Sequence, residues 1–525
     1  MSAALNSAVV SLDAPISGWD AFNSLDNMPP TAAIILDNMI PGAGACESRK
    51  GSVEFADLGT ALPVETVASF NSNDEQIMLA SSNGGIWEID SVGTPTAAPL
   101  NGGGTAVAST YSNSRWQYSN FRKIDETGVL ILCNGVDTVQ VYNDPGTGYE
   151  LTDLDSTGTT DPDYLGTFIG CVSFKGRMYY WEDDDNAFWY AAAGSYQGVF
   201  EKFDLGSQVK RGGKLVLVTT WTTEDGSGSG DNLVFVFSTG ETLIYRGDDP
   251  GDATAFELAG RYFIGEPLSI RGSAIYGSDT IVMTKDGYVS LSTVVQQGKT
   301  SDVPAFSRLI HAAVTNRTDA AASLFGWDVE LYPADGLFIF NVPTSSNSYE
   351  QHVMNTVTQR WCRFIDLEVN NITIHDDNLY GGANDGTVQW LLEGTDDNGA
   401  PITCTALYAF NYFDNPGYNK HVVAAQILST NTDPKLITVA AYPDFQVPNI
   451  ESIAVAPSPL IETFWDVGDW DTYYWSVSGS QYTTKGWQNV SGYGYSIALL
   501  VRFAKINETS IWRSTSIRYI NAGAQ

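Results

Sequence analysis

From Asp231 to Ser292 the chain alternates apolar and polar positions in two hairpin-like stretches, DNLVFVFSTGETLIYRG and DTIVMTKDGYVSLS. Each has a run rich in β-branched residues, a tight turn ending in glycine (Gly240, Gly287) and a second alternating run. A period of two turns one face of each strand toward a core, and glycine supplies the positive φ of a short turn. Comparable hairpins occur at Ile77 to Ile89, Leu130 to Tyr142, Phe168 to Glu182, Asp335 to Pro343 and Asp376 to Leu392. The turn glycines Gly84, Gly135, Gly176, Gly240, Gly287, Gly336 and Gly386 lie 51, 41, 64, 47, 49 and 50 residues apart. That spacing is near the roughly 40 to 50 residues of a propeller blade. A four-stranded blade cannot bury both faces alone, and radial stacking solves the problem. The pattern therefore predicts an all-β chain with a β-propeller of about six to eight blades. A run of unrelated hairpins in one or two β-sandwiches is the competing reading. No WD dipeptide pattern is present, and ANDGTVQW (Ala383 to Trp390) only faintly resembles the Asp box of sialidase propellers.

The pattern divides the chain into three parts. Residues 1–60 read as a strand-poor arm, in which Pro29-Pro30 and Pro41-Gly42 bracket Thr31 to Met39, a segment with the content for one or two helical turns. Residues 61–398 hold the hairpins. Polar connections at Asn143 to Pro162 and Thr222 to Asp231 lack apolar anchors and are expected to be exposed and mobile. A helix is expected over Asp302 to Val314, with Val303, Phe306, Ile310 and Val314 on one face. Residues 399–525 change character, ending in two alternating strands that suggest a separate β-sandwich or barrel. Trp465, Trp470 and Trp475 recur every five residues, which fits neither a strand nor a helix face. They and Trp487 are candidates for an interface, core packing being the alternative.

Composition narrows the function. Twenty-seven Lys and Arg stand against 61 Asp and Glu, a net charge of −34, which argues against a surface that grips nucleic acid by neutralising phosphates. The cysteines Cys46, Cys133, Cys171, Cys362 and Cys404 form no C-x-x-C pair and read as buried small hydrophobes of a reducing compartment. No signal peptide or apolar span long enough for a membrane helix is seen, so folding in a cytoplasm is expected.

The search for chemistry finds acidic turns rather than catalytic signatures. Asp183-Asp184-Asp185, Asp248-Asp249 with Asp252, and Asp396-Asp397 are oxygen-rich, but none has EF-hand spacing, and solvated turns explain them. Neither nucleotide-binding glycine loops, a nucleophile elbow nor H-E-x-x-H occurs. Lys210, Arg211 and Lys214 form the local basic group, a candidate for contact with phosphate or an acidic neighbour. No enzyme activity, metal or cofactor is expected.

Several stretches together resemble the tail nozzle proteins of short-tailed bacteriophages, also called tubular tail protein B. They are MPPTAAIILDNMIPGAGACESRKGSVE, RWQYSNF, FEKFDLGSQVKRGGKL, IGEPLSIRGSAIYGSDTIVMTKDGYVSLS and WDVGDWDTYYW with KGWQNVSGYGYSIALLVRFA. The resemblance covers nearly the whole chain through loose motifs. It implies a structural virion protein, made in the host bacterial cytoplasm and placed at the distal end of the tail. It implies a homohexameric channel below the tail adaptor, with tail fibres or a tip protein as further partners. Each subunit would carry a propeller and a platform built from the N-terminal arm and the C-terminal region. Double-stranded DNA would pass without specific binding, with Asp183, Asp184 and Asp185 on the lumen or outer surface and Lys210, Arg211 and Lys214 available to the adaptor. A glycan-binding adhesin, stacking sugars on Trp181, Trp189 and Tyr190, is the alternative, and a propeller glycosidase a third.

Overall fold

A computed structural model describes residues 7–72, 75–125, 127–146, 148–224, 229–297, 304–431, 437–450, 455, 482–484 and 486–522. It divides into two compact units, Glu54–Glu350 with Glu368–Trp390, and Met1–Val53 with Gln351–Leu367 and Leu391–Gln525. Gln351–Leu367, inside the expected hairpin span 61–398, belongs with the chain's two end regions.

The first unit is a seven-bladed β-propeller. Four blades are antiparallel four-stranded meanders, whose innermost strands are Val64–Asn71, Gln117–Arg122, Gly170–Phe174 and Leu215–Glu224. The fifth has three strands, Ser273–Tyr276, Asp279–Thr284 and Gly287–Ser290, after which the chain turns into helices Leu291–Gln297 and His311–Ala321. The sixth opens with the hairpin Asp328–Tyr332 and Leu337–Pro343. In the seventh, Val369–His375, Asn378–Ala383 and Thr387–Leu391 are completed by Ser52–Asp57, from the opposite end of the propeller sequence. Successive blades neighbour one another in this order, and Val369–His375 returns to Val64–Asn71, closing the ring. Ser69 and His375 join across that seam, Oγ to Nδ1 at 2.9 Å.

Alternation explains why the ring forms. In Gly128–Cys133, Leu130 and Leu132 enter the core shared with the first blade, while Val129, Ile131 and Cys133 enter the core shared with the third. Tyr179 and Trp181 likewise face the fourth blade, and Met178 and Tyr180 the second. Both faces of a blade are apolar, so each needs a neighbour on either side. A two-layer sandwich would leave one face of each hairpin wet. All seven turn glycines have positive φ, from 63° at Gly336 to 130° at Gly287.

The second unit is a sandwich of two sheets. In one, Ala32–Asp37 runs parallel to Arg360–Phe364 and antiparallel to Ile402–Tyr408, followed by Ile497–Lys505 and Thr438–Pro443. In the other, Ser510–Ala522 lies between Asn419–Asn431 on one side and Ser7–Asp13 with Cys46–Ser48 on the other. Asn419–Asn431 also pairs with Trp487–Gly494 and Tyr482–Thr484. The layers meet where Tyr408 packs edge-on against Trp512 at 5.3 Å and its hydroxyl bonds Thr515 Oγ1 at 3.1 Å.

Three local expectations are corrected. The arm is rich in strands, and Thr31 to Met39 contains the strand Ala32–Asp37 rather than a helical turn. Besides the local pair with Gly18–Trp19, its ladder partners lie more than 300 residues away, and tertiary pairing overrides the propensity of a short Ala-Ile-Leu run. Asn143 to Pro162 holds the strand Glu150–Asp153, anchored by buried Leu151 and Leu154. At Thr222 to Asp231 the strands pair as far as Glu224 and Ser229, and the rest of that connection lies outside the described residues. The expected helix begins later, at His311 after a 3-10 turn at Arg308–Ile310; Asp302 and Val303 lie outside the described residues. Pro304 sits inside the expected span and disfavours helix in the residue before it.

Candidate functional site

The acidic triplet and the basic group, separate in sequence, meet at the rim of the third and fourth blades. Asp183–Asp185 forms the turn after Arg177–Trp181, with Asp184 at φ 63° and the Leu215 N–H bonded to the Asp185 carbonyl at 2.7 Å. Lys214 Nζ lies 2.6 Å from Asp183 and 3.6 Å from Asp184, while Lys202 Nζ lies 3.0 Å from Asp185 and 3.5 Å from Asp163. The hydrogen bond that the Lys214 ammonium donates to Asp183 holds it above its usual pKa. Burial works against the Lys202 ammonium, but Asp185 and Asp163 outweigh it and raise that pKa too. An open groove between these groups is lined by Asp184, Asp185, Asn186, Gly213, Lys214 and Ser238.

Behind it, the loop holding Lys210 and Arg211 forms an anion cradle that is already filled. The fully buried Glu241 carboxylate accepts the Lys210 N–H at 2.9 Å and the Arg211 N–H at 2.7 Å, and pairs with Arg261 Nε at 3.3 Å. Consecutive backbone N–H groups are the donors a phosphate would use, and here an internal carboxylate takes them. The Arg211 guanidinium stacks over Phe263, 4.1 Å from the ring centre. Among the described residues, no three His, Cys, Asp or Glu side chains are placed to hold a metal ion. No helix among them is long and apolar enough to cross a membrane.

The aromatic candidates divide. Trp465, Trp470 and Trp475 lie outside the described residues. Trp487 opens the strand Trp487–Gly494 and is 45% exposed, with the Arg518 guanidinium 5.4 Å above its ring. Tyr493, on the same face of that strand, is 57% exposed. Trp181, Trp189 and Tyr190, the residues considered for sugar stacking, are all buried and so offer no surface for it.

Two features of the propeller escaped sequence reasoning. Arg271, ahead of the fifth blade, reaches the first and second: it donates to the Glu65 carbonyl at 3.2 Å, Thr66 Oγ1 at 2.8 Å and the Trp116 carbonyl at 2.6 Å. Nearby, Asp328 and Glu330 lie two apart on the innermost strand of the sixth blade. Burial raises the pKa of both carboxyls, and the Asp328 charge helps to push Glu330 up to about 8. Tyr118, bonded to Thr373 Oγ1 at 2.7 Å, is pushed up to about 12 chiefly by burial. A lone arginine in SIRGS and a D-x-E pair in a strand carry no signal that distinguishes them from surface charges.

Comparison with known proteins bears on fold alone. No family model and no curated protein matches the chain. Solved structures that match include BBS1N, crystallised in complex with ARL6DN, at 8% identity and a TM-score of 0.28 over 74% of this chain and 97% of that one. The extracellular domain of a hybrid two-component system from B. thetaiotaomicron gives 11% and 0.40, over 65% of this chain and 41% of its own. The Myceliophteria thermophila Cps50 (Swd1) β-propeller domain gives 12% and 0.39, over 66% of this chain and 99% of its own. At such scores, the assignment of a propeller rests on the strand order and ring closure described above.

Proposed function

We propose that this chain is a structural subunit of a phage tail nozzle, a hexameric conduit that retains packaged DNA and lets it pass on ejection. The observation that carries the proposal is the exposed pair Trp487 and Tyr493 on a sandwich drawn from residues near both ends of the chain. A lone subunit leaves these aromatic rings in water, and such residues are favoured in the buried centre of a contact. The charge of −34 supports the same reading, because a carboxylate-rich channel repels duplex phosphates and so lets DNA slide. The backbone N–H groups of Lys210 and Arg211 and the Lys214 ammonium are engaged within the subunit, and the Lys210 and Arg211 side chains are proposed as the contact to the adaptor. Particle mass tests the proposal directly. Six copies of the 56.8 kDa chain give a ring of about 340 kDa, which replacing both Trp487 and Tyr493 by alanine should shift toward free subunits. A wild-type chain that stays single at micromolar concentration would rule the conduit out.

A further inference from the structure

Four Asn–Gly pairs occur in the chain, Asn83–Gly84, Asn101–Gly102, Asn134–Gly135 and Asn398–Gly399. Such a pair cyclises when the glycine nitrogen is free to reach the asparagine side-chain amide. Three of the four are held. The Gly84 N–H donates to Ser114 Oγ at 2.7 Å, the Gly135 N–H to the Phe168 carbonyl at 2.8 Å and the Gly399 N–H to Asp396 Oδ1 at 2.6 Å. The Asn134 amide is tied as well, its Nδ2 donating to Asp137 Oδ2 at 2.6 Å. Asn101–Gly102 differs. Asn101 is exposed, and among the described residues neither its side chain nor the Gly102 N–H makes a hydrogen bond. A Cβ added at Gly102, Gly103 or Gly104 would meet nothing within 4 Å, so the segment has room to turn. The backbone around it joins two blades at their outer edge. The Asn101 N–H donates to the Leu151 carbonyl at 2.9 Å, and the Leu151 N–H to the Pro99 carbonyl at 2.8 Å. Leu151 is buried in the core shared by the first and second blades.

We propose that Asn101 is a self-modifying site, whose deamidation to isoaspartate loosens the outer edge between the first and second blades. The Gly102 nitrogen gives up its proton to water or hydroxide and attacks Asn101 Cγ. A C–N bond forms, the bond to the side-chain amide nitrogen breaks, and that nitrogen leaves with a proton as ammonia. Water then opens the five-membered succinimide. Attack at Cγ leaves an aspartate on a normal backbone. Attack at the backbone carbonyl carbon leaves the chain running through Cβ and Cγ, an isoaspartate. One amide and one water thus yield one carboxyl group and one ammonia, and the carboxyl group is ionised at neutral pH. The extra backbone atom falls inside the turn that the Gly103 N–H closes on the Leu100 carbonyl at 3.1 Å, beside the N–H that holds Leu151. The inference concerns the propeller alone and does not depend on the nozzle reading.

The test ages the folded, full-length chain in mildly alkaline buffer and maps its peptides by mass, with a fragmentation that tells isoaspartate from aspartate. The Asn101 peptide should gain one mass unit at least about tenfold faster than the peptides of the other three pairs, which react only after their hydrogen bonds open. In denaturant the four rates should converge. The aged chain should melt below the fresh one, and below Asn101→Asp, which carries the charge on an unaltered backbone. Asn101→Gln, whose longer side chain closes a ring far more slowly, should keep its melting temperature through the same ageing. The proposal falls if the Asn101 peptide keeps its mass while the chain is folded, or if the four pairs react alike in the folded chain. It falls equally if ageing leaves the melting temperature of the wild type unchanged, or lowers that of Asn101→Gln as much.

Discussion

Arg49 and Asp397, 348 positions apart, form a two-armed ion pair in the sandwich unit, Nη1 to Oδ1 at 2.8 Å and Nη2 to Oδ2 at 2.6 Å. Arg49 is wholly enclosed, and its remaining donors reach Asn38 Oδ1 at 2.9 Å and the carbonyls of Lys50 and Ile365. One guanidinium thus links the three chain segments that build the unit. Asp397→Ala leaves a buried charge without its partner and should cost about 3–5 kcal/mol. Changing both residues to apolar ones of similar volume should recover much of that loss. Urea denaturation of the three proteins measures both effects.

Glu241 sets a second expectation. Removing its carboxylate takes the acceptor from the Lys210 and Arg211 N–H groups and the counter-charge from Arg261, which keeps its bond to the Gln208 carbonyl. Glu241→Ala should therefore destabilise the propeller by about 3 kcal/mol or more, whereas Glu241→Gln, which keeps an acceptor, should cost less. Thermal melts of the two variants give the comparison. If alanine and glutamine behaved alike, the cradle would not depend on an acceptor at this position.

Stability should also vary with pH through Glu330. Its pKa is raised from 4.5 to about 8, so the folded state holds this proton more tightly than the unfolded chain does. The resulting stabilisation is complete below the unfolded value and is lost as pH climbs through the folded one. Glu330→Gln should flatten that part of the profile, by up to several kcal/mol between about pH 5 and about pH 9. Denaturant titrations of wild type and variant at both limits would show it. Parallel profiles would mean that Glu330 ionises normally.

Gly386 tests the ring seam. It has φ 91°, and an added Cβ would stand 1.7 Å from the carbonyl oxygen of Thr60. Its own carbonyl accepts the Leu58 N–H at 3.1 Å. Gly386→Ala should thus cost well over about 1 kcal/mol, from backbone strain and a steric clash together. The same change at Gly277, which has φ 64° but open space, carries the strain alone and isolates the clash by subtraction in melting experiments.

The propeller was legible because its signals are local. Alternation within Gly128–Cys133 and glycines such as Gly84 and Gly240 depend only on near neighbours, and both kept their expected roles. Ala32–Asp37 was not legible, since its two long partners lie hundreds of residues downstream and its local partner is the two-residue strand Gly18–Trp19. The rim charges were visible as two clusters, but their meeting depends on a turn in one blade facing a loop before the next. Asp397 looked like one more solvated turn aspartate; only the burial of Arg49 distinguishes it.

The strand Ser52–Asp57 fixes when this molecule can be finished. A ribosome makes it before any complete blade, yet the strand it joins, Thr387–Leu391, emerges some three hundred residues later. Until then the nascent chain is an open stack with an apolar face at each end, vulnerable to sticking to its neighbours. Truncated products ending before that strand should accumulate as aggregates or protease fragments, so quality control of the ring is deferred to the last quarter of translation.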